Sequence, residues 1–358
     1  MFILKRKEKI KMKKVLPIVL MIMSMGGLIF GTWATSSAAP VSAAEFYRKN
    51  VVTMVIGFNP GGGSDYAGRL LASYWSAATD GGAMIVKNMT GAGGLVATNY
   101  VNSARPDGLT IGFGMFGNAY LSPYLAKDPA VKFDYKKLTW LIGVFNEPFG
   151  LHVSVKRPYA SVDDLKKAKG LKIAALAPFG PDSTAEVPFI DFLGLDAQII
   201  TGYKGGSDMA LAAGKGEIDI VPLPTGTGLD SMNKGFVKAP VVVMSNRRVG
   251  VFKDSPAFTE VVNFTPEQKA LFKATDTASY ILRVGAAPPG VPEDRVKFMQ
   301  DSFAKIVAMD GFKEQSKLAF PLGPTPLVGD ELNAFVKEAG NLTMEPINQL
   351  IKKYLAIK

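Results

Sequence analysis

Cysteine is absent from all 358 residues, and histidine occurs once, as His152. The absence of cysteine excludes disulfide bonds, thiolate metal sites, a cysteine nucleophile and a lipid-modified N-terminal cysteine. A zinc hydrolase or a Ser-His-Asp hydrolase would depend on His152 alone, and this residue lies in an apolar segment where a histidine is more often structural. The sequence therefore leaves few classes of enzyme open and indicates no metal and no cofactor.

Excess charge is also scarce in the folded part of the chain. The formal net charge is +10, but residues 1–14 hold seven Lys or Arg and one acid, so residues 45–358 are near +4. A nucleic-acid-binding protein usually carries a basic stripe on its folded domain. We therefore expect no nucleic-acid partner.

The basic start is followed by an apolar run at 15–34 and by the small-residue stretch "TSSAAPVSAA". This order predicts a secretory signal peptide at 1–44, cleaved after Ala43 or Ala44, with Met12 as an alternative start. The other interpretation is an uncleaved anchor, because about 20 apolar residues can span a bilayer.

The remaining 314 residues are enough for two domains. Strand-like runs such as 51–58 and 171–177 alternate with helical patterns such as 64–77 and 184–193. This alternation predicts an α/β fold with mostly parallel sheets. The last part of the chain is largely helical, with one strand-like run at 280–288.

Three glycine-rich loops stand between a predicted strand and a predicted helix. They read "NPGGGSDY" at 59–66, "NMTGAGG" at 88–94 and "GYKGGSD" at 202–208, and "APFGPDST" at 177–184 is a fourth candidate. Glycine allows close approach of the backbone, and the first N–H groups of a helix have no helical partner. Such loops are either tight turns or, where several converge, a binding site for a small anion.

The first loop does not match either common phosphate fingerprint. Gly63 stands where a Walker motif requires lysine, and Tyr66 stands where a dinucleotide motif requires its third glycine. Asp65 would also repel a multiply charged phosphate. Charge-assisted hydrogen bonds contribute roughly 1.5–3 kcal/mol each, and micromolar binding needs about 8 kcal/mol. A few such bonds, with Lys204 assisting electrostatically, can therefore hold a carboxylate.

Five motifs then occur in an order typical of one family: "PGGGSD" (60–65), "TGAGG" (90–94), "RPDGLTIG" (105–112), "GYKGGSD" followed by "GEIDI" (202–220) and "APPGVPEDRV" (287–296). The chain resembles the solute receptors of tripartite tricarboxylate transporters, also called Bug receptors. The resemblance implies a periplasmic binding protein with the two-lobed type II α/β fold and a ligand cleft between the lobes. The first lobe would be 45–148 plus 284–358, and the second 149–283.

The resemblance also implies the function. The protein would be a monomer without enzymatic activity that binds a small carboxylate, such as a dicarboxylate, a tricarboxylate or a related organic acid. It would deliver this ligand to the permease subunits of a tripartite tricarboxylate-type transporter. Lobe closure on the ligand would use hinges near 148–151 and 281–285.

In this family, backbone amides and ordered water typically hold the ligand's carboxylate. Carried over to this sequence, the first lobe would contribute Gly61, Gly62, Ser64, Asp65, Gly91, Ala92, Gly93, Phe116 and Asn118. The second lobe would contribute Phe179, Asp182, Ser183, Thr184, Tyr203, Lys204, Gly205 and Gly206.

The second-lobe segment "APFGPDSTAEVP" departs from the glycine- and serine-rich turn of the family. Its Asp182 and Glu186 are either helix-cap residues or contacts for an amine or hydroxyl group of the ligand. Two alternatives to the transport receptor stay open. One is a secreted hydrolase that uses Ser64 or Ser183 with His152, which requires a separation near 3 Å. The other is a receptor for a signalling partner.

Overall fold

The computed structural model describes residues 41–278, 281–341, 343 and 345–355. The predicted signal peptide lies almost wholly outside these residues, and so it stays a prediction. Within the described ranges, no helix combines the length and the apolar character that a membrane span requires. The first helix, α1 (Ala43–Lys49), begins after Ser42, whose Oγ accepts the N–H of Glu45 at 3.2 Å.

The described residues form two five-stranded sheets. The first sheet contains β1 (Val51–Ile56), β2 (Ala83–Asn88), β3 (Thr110–Met115), β4 (Thr139–Glu147) and β10 (Ile281–Ala287), in the order β2-β1-β3-β10-β4. The second contains β5 (Phe149–Ser154), β6 (Leu171–Ala174), β7 (Ala197–Ile200), β8 (Ile220–Pro224) and β9 (Val237–Val243), in the order β7-β6-β8-β5-β9.

Helices connect and cover these strands. The helices are α2 (Gly63–Ala78), α3 (Leu95–Asn102), α4 (Ser122–Leu125), α5 (Val162–Lys167), α6 (Pro181–Phe192), α7 (Gly206–Lys215), α8 (Thr225–Asn233), α9 (Phe258–Val261), α10 (Pro266–Ala278), α11 (Glu293–Ala308), α12 (Asp310–Lys317), α13 (Gly329–Ala339) and α14 (Glu345–Tyr354). The α/β architecture with two sheets confirms the predicted fold class.

Both sheets are mixed, so the expectation of mostly parallel sheets is wrong. In the first sheet, β1 pairs in parallel with β2 and β3, whereas β10 is antiparallel to β3 and β4. In the second, β6 is parallel to β7 and β8, whereas β5 is antiparallel to β8 and β9. Each antiparallel pair involves β5 or β10, the strands that enter from the other sheet. Parallel pairing of successive strands needs a crossover connection within one sheet, and these two strands arrive from the other sheet without one.

The chain passes from one sheet to the other after β4 and again before β10. Only Pro148 separates β4 from β5, and the chain returns to the first sheet as β10. The C-terminal helix α14 then packs against α6 and α10 of the second sheet, and Leu355 forms a bridge with Ile199. Side chains of α14 also bind Asp191 of α6: Lys353 Nζ lies at 3.0 Å and Tyr354 Oη at 2.8 Å. These residues were predicted to lie in the first lobe, but their contacts are with the second sheet.

Candidate functional site

A cavity of about 120 Å³ lies between the two sheets, and we refer to it as the cleft cavity. Residues from the loop after β1 form one side, and residues at the starts of α7 and α8 form the other. Phe58, Met115, Phe149, Leu176 and Met209 give the cavity an apolar part. Its charged wall residues are Asp182, Asp208 and Arg283.

Four helices begin at or beside this cavity, namely α2, α6, α7 and α8. The residues before them are Gly62, Gly180, Gly205 and Pro224, none of which has a side chain able to cap a helix. The first N–H groups of each helix therefore lack both a helical partner and an N-cap side chain. Together with the positive end of the helix dipole, such groups favour binding of an anion.

The loop before α2 is held in shape by Asp65. Gly61 has a φ of +78°, and its N–H donates to Asp65 Oδ2 at 2.9 Å. The same carboxylate, 3% exposed, accepts from Arg69 Nε at 2.9 Å and from Asn88 Nδ2 at 2.8 Å. Burial alone would raise the pKa of Asp65, but the hydrogen bonds from Arg69, Gly61 and Asn88 outweigh it, and the pKa is lowered. Asp65 thus fixes the loop, and its side chain is not part of the cleft cavity wall.

A buried ion pair stands behind the loop. Arg283 and Glu147 are each 1% exposed, and Arg283 Nη1 lies 2.7 Å from Glu147 Oε2. Glu147 Oε1 accepts the N–H of Gly226, in the first turn of α8, at 2.7 Å. The guanidinium carbon lies 4.5 Å from the centre of the Phe320 ring. A Cβ at Gly63 would lie only 2.7 Å from Arg283 Nη2, so the guanidinium contacts the first residue of α2.

Two acids enter the cavity from the second sheet. Asp208, in the first turn of α7, accepts from Asn59 Nδ2 at 3.0 Å, and this bond spans the cavity. Asp182, in the first turn of α6, accepts the N–H of Leu176. Glu186 is fully buried, and within the described ranges neither of its oxygens has a hydrogen-bond partner. Burial, and then the charge of Asp182, raise the pKa of Glu186 well above its usual range, which favours the neutral acid.

A second cavity of about 600 Å³ adjoins the first at Leu176, and we refer to it as the outer cavity. The "GAGG" loop and the segments before α6 and α7 line it. The first two glycine loops touch here, since a Cβ at Gly57 would lie 2.6 Å from Gly94 Cα. Glycine is therefore required at 57 for the loops to meet.

The structure brings most of the predicted ligand-binding residues to these cavities. The cleft cavity includes Gly62, Ser64, Asp182, Gly205 and Gly206 in its wall. The outer cavity includes Gly91, Ala92, Gly93, Phe179, Tyr203 and Lys204. Gly61 lines a neighbouring pocket of about 400 Å³ beside Tyr66 and Phe320.

Other predicted contacts are not in the cavity walls. Phe116 is fully buried, with ring centroids of Phe335 at 5.2 Å and Trp140 at 5.7 Å, and so it is a core residue. Ser183 and Thr184 are also fully buried, and Ser183 Oγ donates to the carbonyl of Ala177 at 2.7 Å. The side chain of Asn118 lies outside the described part of the structure. The sequence analysis did not predict the ion pair of Arg283 and Glu147, because no local sequence pattern around either residue indicates a charged partner.

His152 does not form a catalytic pair with either candidate serine. Its ring is fully buried, Nδ1 lies 2.8 Å from the carbonyl oxygen of Lys238, and Phe252 packs edge-on against it. Burial lowers the pKa of His152 to about 4 despite the hydrogen bond to Lys238. Among the described residues, no group of three or more His, Asp or Glu side chains is arranged to hold a metal ion.

Residues 75–341 match the family described as tripartite tricarboxylate transporter family receptor. Among curated proteins, the UPF0065 protein in the gbd 5' region of Cupriavidus necator is 32% identical over 143 residues, which are 38% of this chain and 42% of that protein. BugT of Bordetella pertussis is 28% identical over 219 residues, which are 59% of this chain and 65% of that protein. The matched regions thus cover less than two thirds of either relative.

Solved structures share the fold. The periplasmic binding protein BugD has a TM-score of 0.70 at 23% identity, with 86% of this chain and 98% of that chain covered. MatC from Rhodopseudomonas palustris with bound malate has a TM-score of 0.68 at 19% identity, covering 84% and 99%. Another R. palustris protein, with adipate, has a TM-score of 0.68 at 19% identity, covering 86% and 98%.

These neighbours have the two-lobed fold of periplasmic binding proteins, as predicted. The matched family is described as a receptor family, and so the family match gives no support to the serine hydrolase alternative. Because the family match spans well over half of the residues, the chain belongs to the tripartite tricarboxylate transporter receptor family.

Proposed function

We propose that the protein is a periplasmic receptor that binds a small carboxylate in the cleft cavity and delivers it to a tripartite tricarboxylate-type permease. The observation that carries this proposal is the meeting of the Arg283 guanidinium with the N-terminus of α2 at the cavity wall. Related proteins of the same fold hold malate and adipate, which are both carboxylates.

The donors around this point are sufficient for useful affinity. The N–H groups of Gly63 and Ser64 belong to the first turn of α2, and Ser64 is also a wall residue. A charge-assisted hydrogen bond contributes roughly 1.5–3 kcal/mol, and a helix N-terminus adds about 0.3–1 kcal/mol. Four or five such interactions sum to about 6–15 kcal/mol before the entropic losses of association, a range that includes the approximately 8 kcal/mol of micromolar binding.

The two lobes close on the ligand in this proposal. The first lobe consists of 45–148 with the chain from 281 to the end of α13, and the second of 149–280 with α14. The connections at Pro148 and at the start of β10 act as hinges. The bond between Asn59 and Asp208 is one of the contacts that hold the closed form.

A ligand screen tests the proposal. The purified protein is heated in the presence of monocarboxylates, dicarboxylates, tricarboxylates, amino acids and nucleotides. A ligand at 100 times its Kd stabilises the folded state by about 2.7 kcal/mol, which raises Tm by several degrees. A shift with one class of carboxylate supports the receptor. A shift with a nucleotide and none with any carboxylate would refute it.

Delivery to a permease needs a separate experiment in cells. Deleting the receptor gene should abolish uptake of the labelled carboxylate identified by the screen, and so should deleting the permease genes. Normal uptake without the receptor, together with loss of a transcriptional response, would indicate a signalling receptor instead.

A further inference from the structure

Acidic groups of the protein already occupy three of the four helix N-termini around the cleft cavity. Asp182 lies in the first turn of α6, and Asp208 lies in the first turn of α7. Glu147 accepts the N–H of Gly226 in the first turn of α8. These positions therefore have a carboxylate of the protein where an anionic ligand would otherwise bind.

The N-terminus of α2 differs from the other three. Its first-turn acid, Asp65, is turned toward Gly61, Arg69 and Asn88. The charged side chain against its first residue is Arg283, a cation beside the positive end of a helix dipole. Glu147 pairs with Nη1 of this guanidinium, and the Nη2 atom against Gly63 is the donor that lies beside the helix N-terminus, where an anion is favoured.

Arg283 has unused donors for this role. It is 1% exposed, and within the described ranges its one hydrogen bond runs from Nη1 to Glu147. Its Nε is buried and has no partner among the described residues, which is unfavourable for a charged group unless a ligand or water supplies an acceptor. Arg283 is also a residue of the cavity wall.

We propose that Arg283 and the N-terminus of α2 hold the one carboxylate of the ligand, and that Asp182 and Asp208 select a hydrogen-bond donor, a hydroxyl or an ammonium group, at its other end. This inference rests on the proposed function and specifies its ligand class. A dicarboxylate is disfavoured, because its second carboxylate would face two carboxyl groups of the protein. An ionised carboxylate accepts hydrogen bonds and donates none, whereas a hydroxyl or ammonium group donates to it.

A series of four-carbon acids that differ only at the far end tests the selection. Isothermal titration calorimetry compares butyrate, succinate, 4-hydroxybutyrate and 4-aminobutyrate on the purified protein. We expect the hydroxy acid and the amino acid to bind at least about tenfold more tightly than succinate. Tighter binding of succinate than of both overturns the inference and leaves the proposed function intact. Failure of every carboxylate in the wider screen refutes the proposed function, and the inference with it.

Asp208→Asn tests the acid directly. The asparagine oxygen can still accept from Asn59, so the bond across the cavity is retained while the charge is removed. We expect succinate to gain at least about fivefold in affinity and 4-aminobutyrate to lose at least as much. Unchanged ratios for both ligands overturn the role of Asp208.

Arg283 is tested by removing the ion pair as a unit. Arg283→Met alone leaves Glu147 buried without its partner and risks unfolding, so it is combined with Glu147→Gln, which retains an acceptor for Gly226. The matched control is Arg248→Met with Glu260→Gln, which removes an exposed ion pair of the second sheet's lobe. We expect about 100-fold weaker carboxylate binding in the first double variant and unchanged binding in the control. Wild-type affinity in a folded double variant overturns the inference.

Arg283→Lys keeps the positive charge and loses the planar fork. It should retain detectable binding, about tenfold weaker than that of the wild type, because one point charge replaces a bidentate donor. If the double variant does not fold, Arg283→Lys is the variant that tests whether Arg283 contacts the ligand. Wild-type affinity in Arg283→Lys would show that the guanidinium does not contact the ligand.

Discussion

Replacing Gly63 with alanine should separate ligand binding from stability. Gly63 is the first residue of α2, and a Cβ there would lie 2.7 Å from Arg283 Nη2 and 3.6 Å from Thr227 Oγ1. The methyl group must therefore displace the guanidinium, which is the flexible end of its side chain. Alanine in place of a helical glycine stabilises by up to about 1 kcal/mol, which offsets part of the cost of this shift.

The effect on binding should be much larger. If Arg283 moves, the ligand loses one charge-assisted hydrogen bond, worth roughly 1.5–3 kcal/mol, so affinity should fall about 10- to 150-fold. Calorimetric titration measures the affinity, and thermal unfolding without ligand should show a free energy of unfolding within about 1 kcal/mol of the wild type. Gly250→Ala is the matched control, because its Cβ would meet no atom within 4 Å. Wild-type affinity in Gly63→Ala would refute the assignment of Arg283 to the ligand.

Three further predictions concern the buried charges and the hinge. Glu147→Ala should destabilise the protein by about 3–5 kcal/mol in urea unfolding, because Arg283 is left as a buried charge without its partner; a loss below about 1 kcal/mol would contradict the buried pair. The pKa of His152, about 4 in the folded protein and 6.5 when unfolded, means that folding favours the neutral ring. The contribution of neutral His152 to the free energy of unfolding is complete above pH 6.5 and is lost as the pH falls toward 4. The free energy of unfolding should fall by on the order of 3 kcal/mol over this range, and this fall should be absent in His152→Gln. Equal pH profiles of stability for the two proteins would contradict the assignment of the loss to His152. Saturating ligand should reduce the radius of gyration in small-angle scattering, and an unchanged curve would argue against hinge closure.

Local sequence patterns predicted the elements around the glycine loops well. The helix expected at 64–77 is α2 (Gly63–Ala78), and the strand expected at 51–58 is β1 (Val51–Ile56), which ends two residues earlier. Hydrophobic alternation and glycine placement are local properties, and so a single sequence contains them. The close contact between Gly57 and Gly94 could not be predicted, because it depends on the relative position of two loops that are far apart in the chain.

The helix α8 shows where local reasoning is insufficient. Its sequence "TGTGLDSMN" has two poor helix formers, Gly226 and Gly228, and no helix was expected there. In the structure, a Cβ at Gly226 would overlap the carbonyl of Ala319, and one at Gly228 would overlap the ring of His152. These glycines are thus required by close packing between distant segments, which overrides their low helix propensity.

The same limit explains the part of the site that was missed. Glu147 and Arg283 are 136 residues apart, and their pairing follows from the neighbouring positions of β4 and β10 in one sheet. Phe116 was expected to face the ligand, but the turn after β3 directs its ring toward Trp140 and Phe335. Side-chain direction at the end of a strand depends on tertiary packing, which residue spacing does not encode.

The position of Glu147 and Arg283 on the strands that join the lobes has a consequence for ligand discrimination. Residues near a rotation axis move least, so in the proposed hinge closure a carboxylate bound by Arg283 would keep its place in the open and closed forms alike. Closure would then depend on the far end of the ligand, which in this proposal lies beside the bond between Asn59 and Asp208. A simple fatty acid that fits the first contact and lacks the second should act as a competitive blocker. In the proposed transport cycle, it would occupy the receptor while leaving it in the open form.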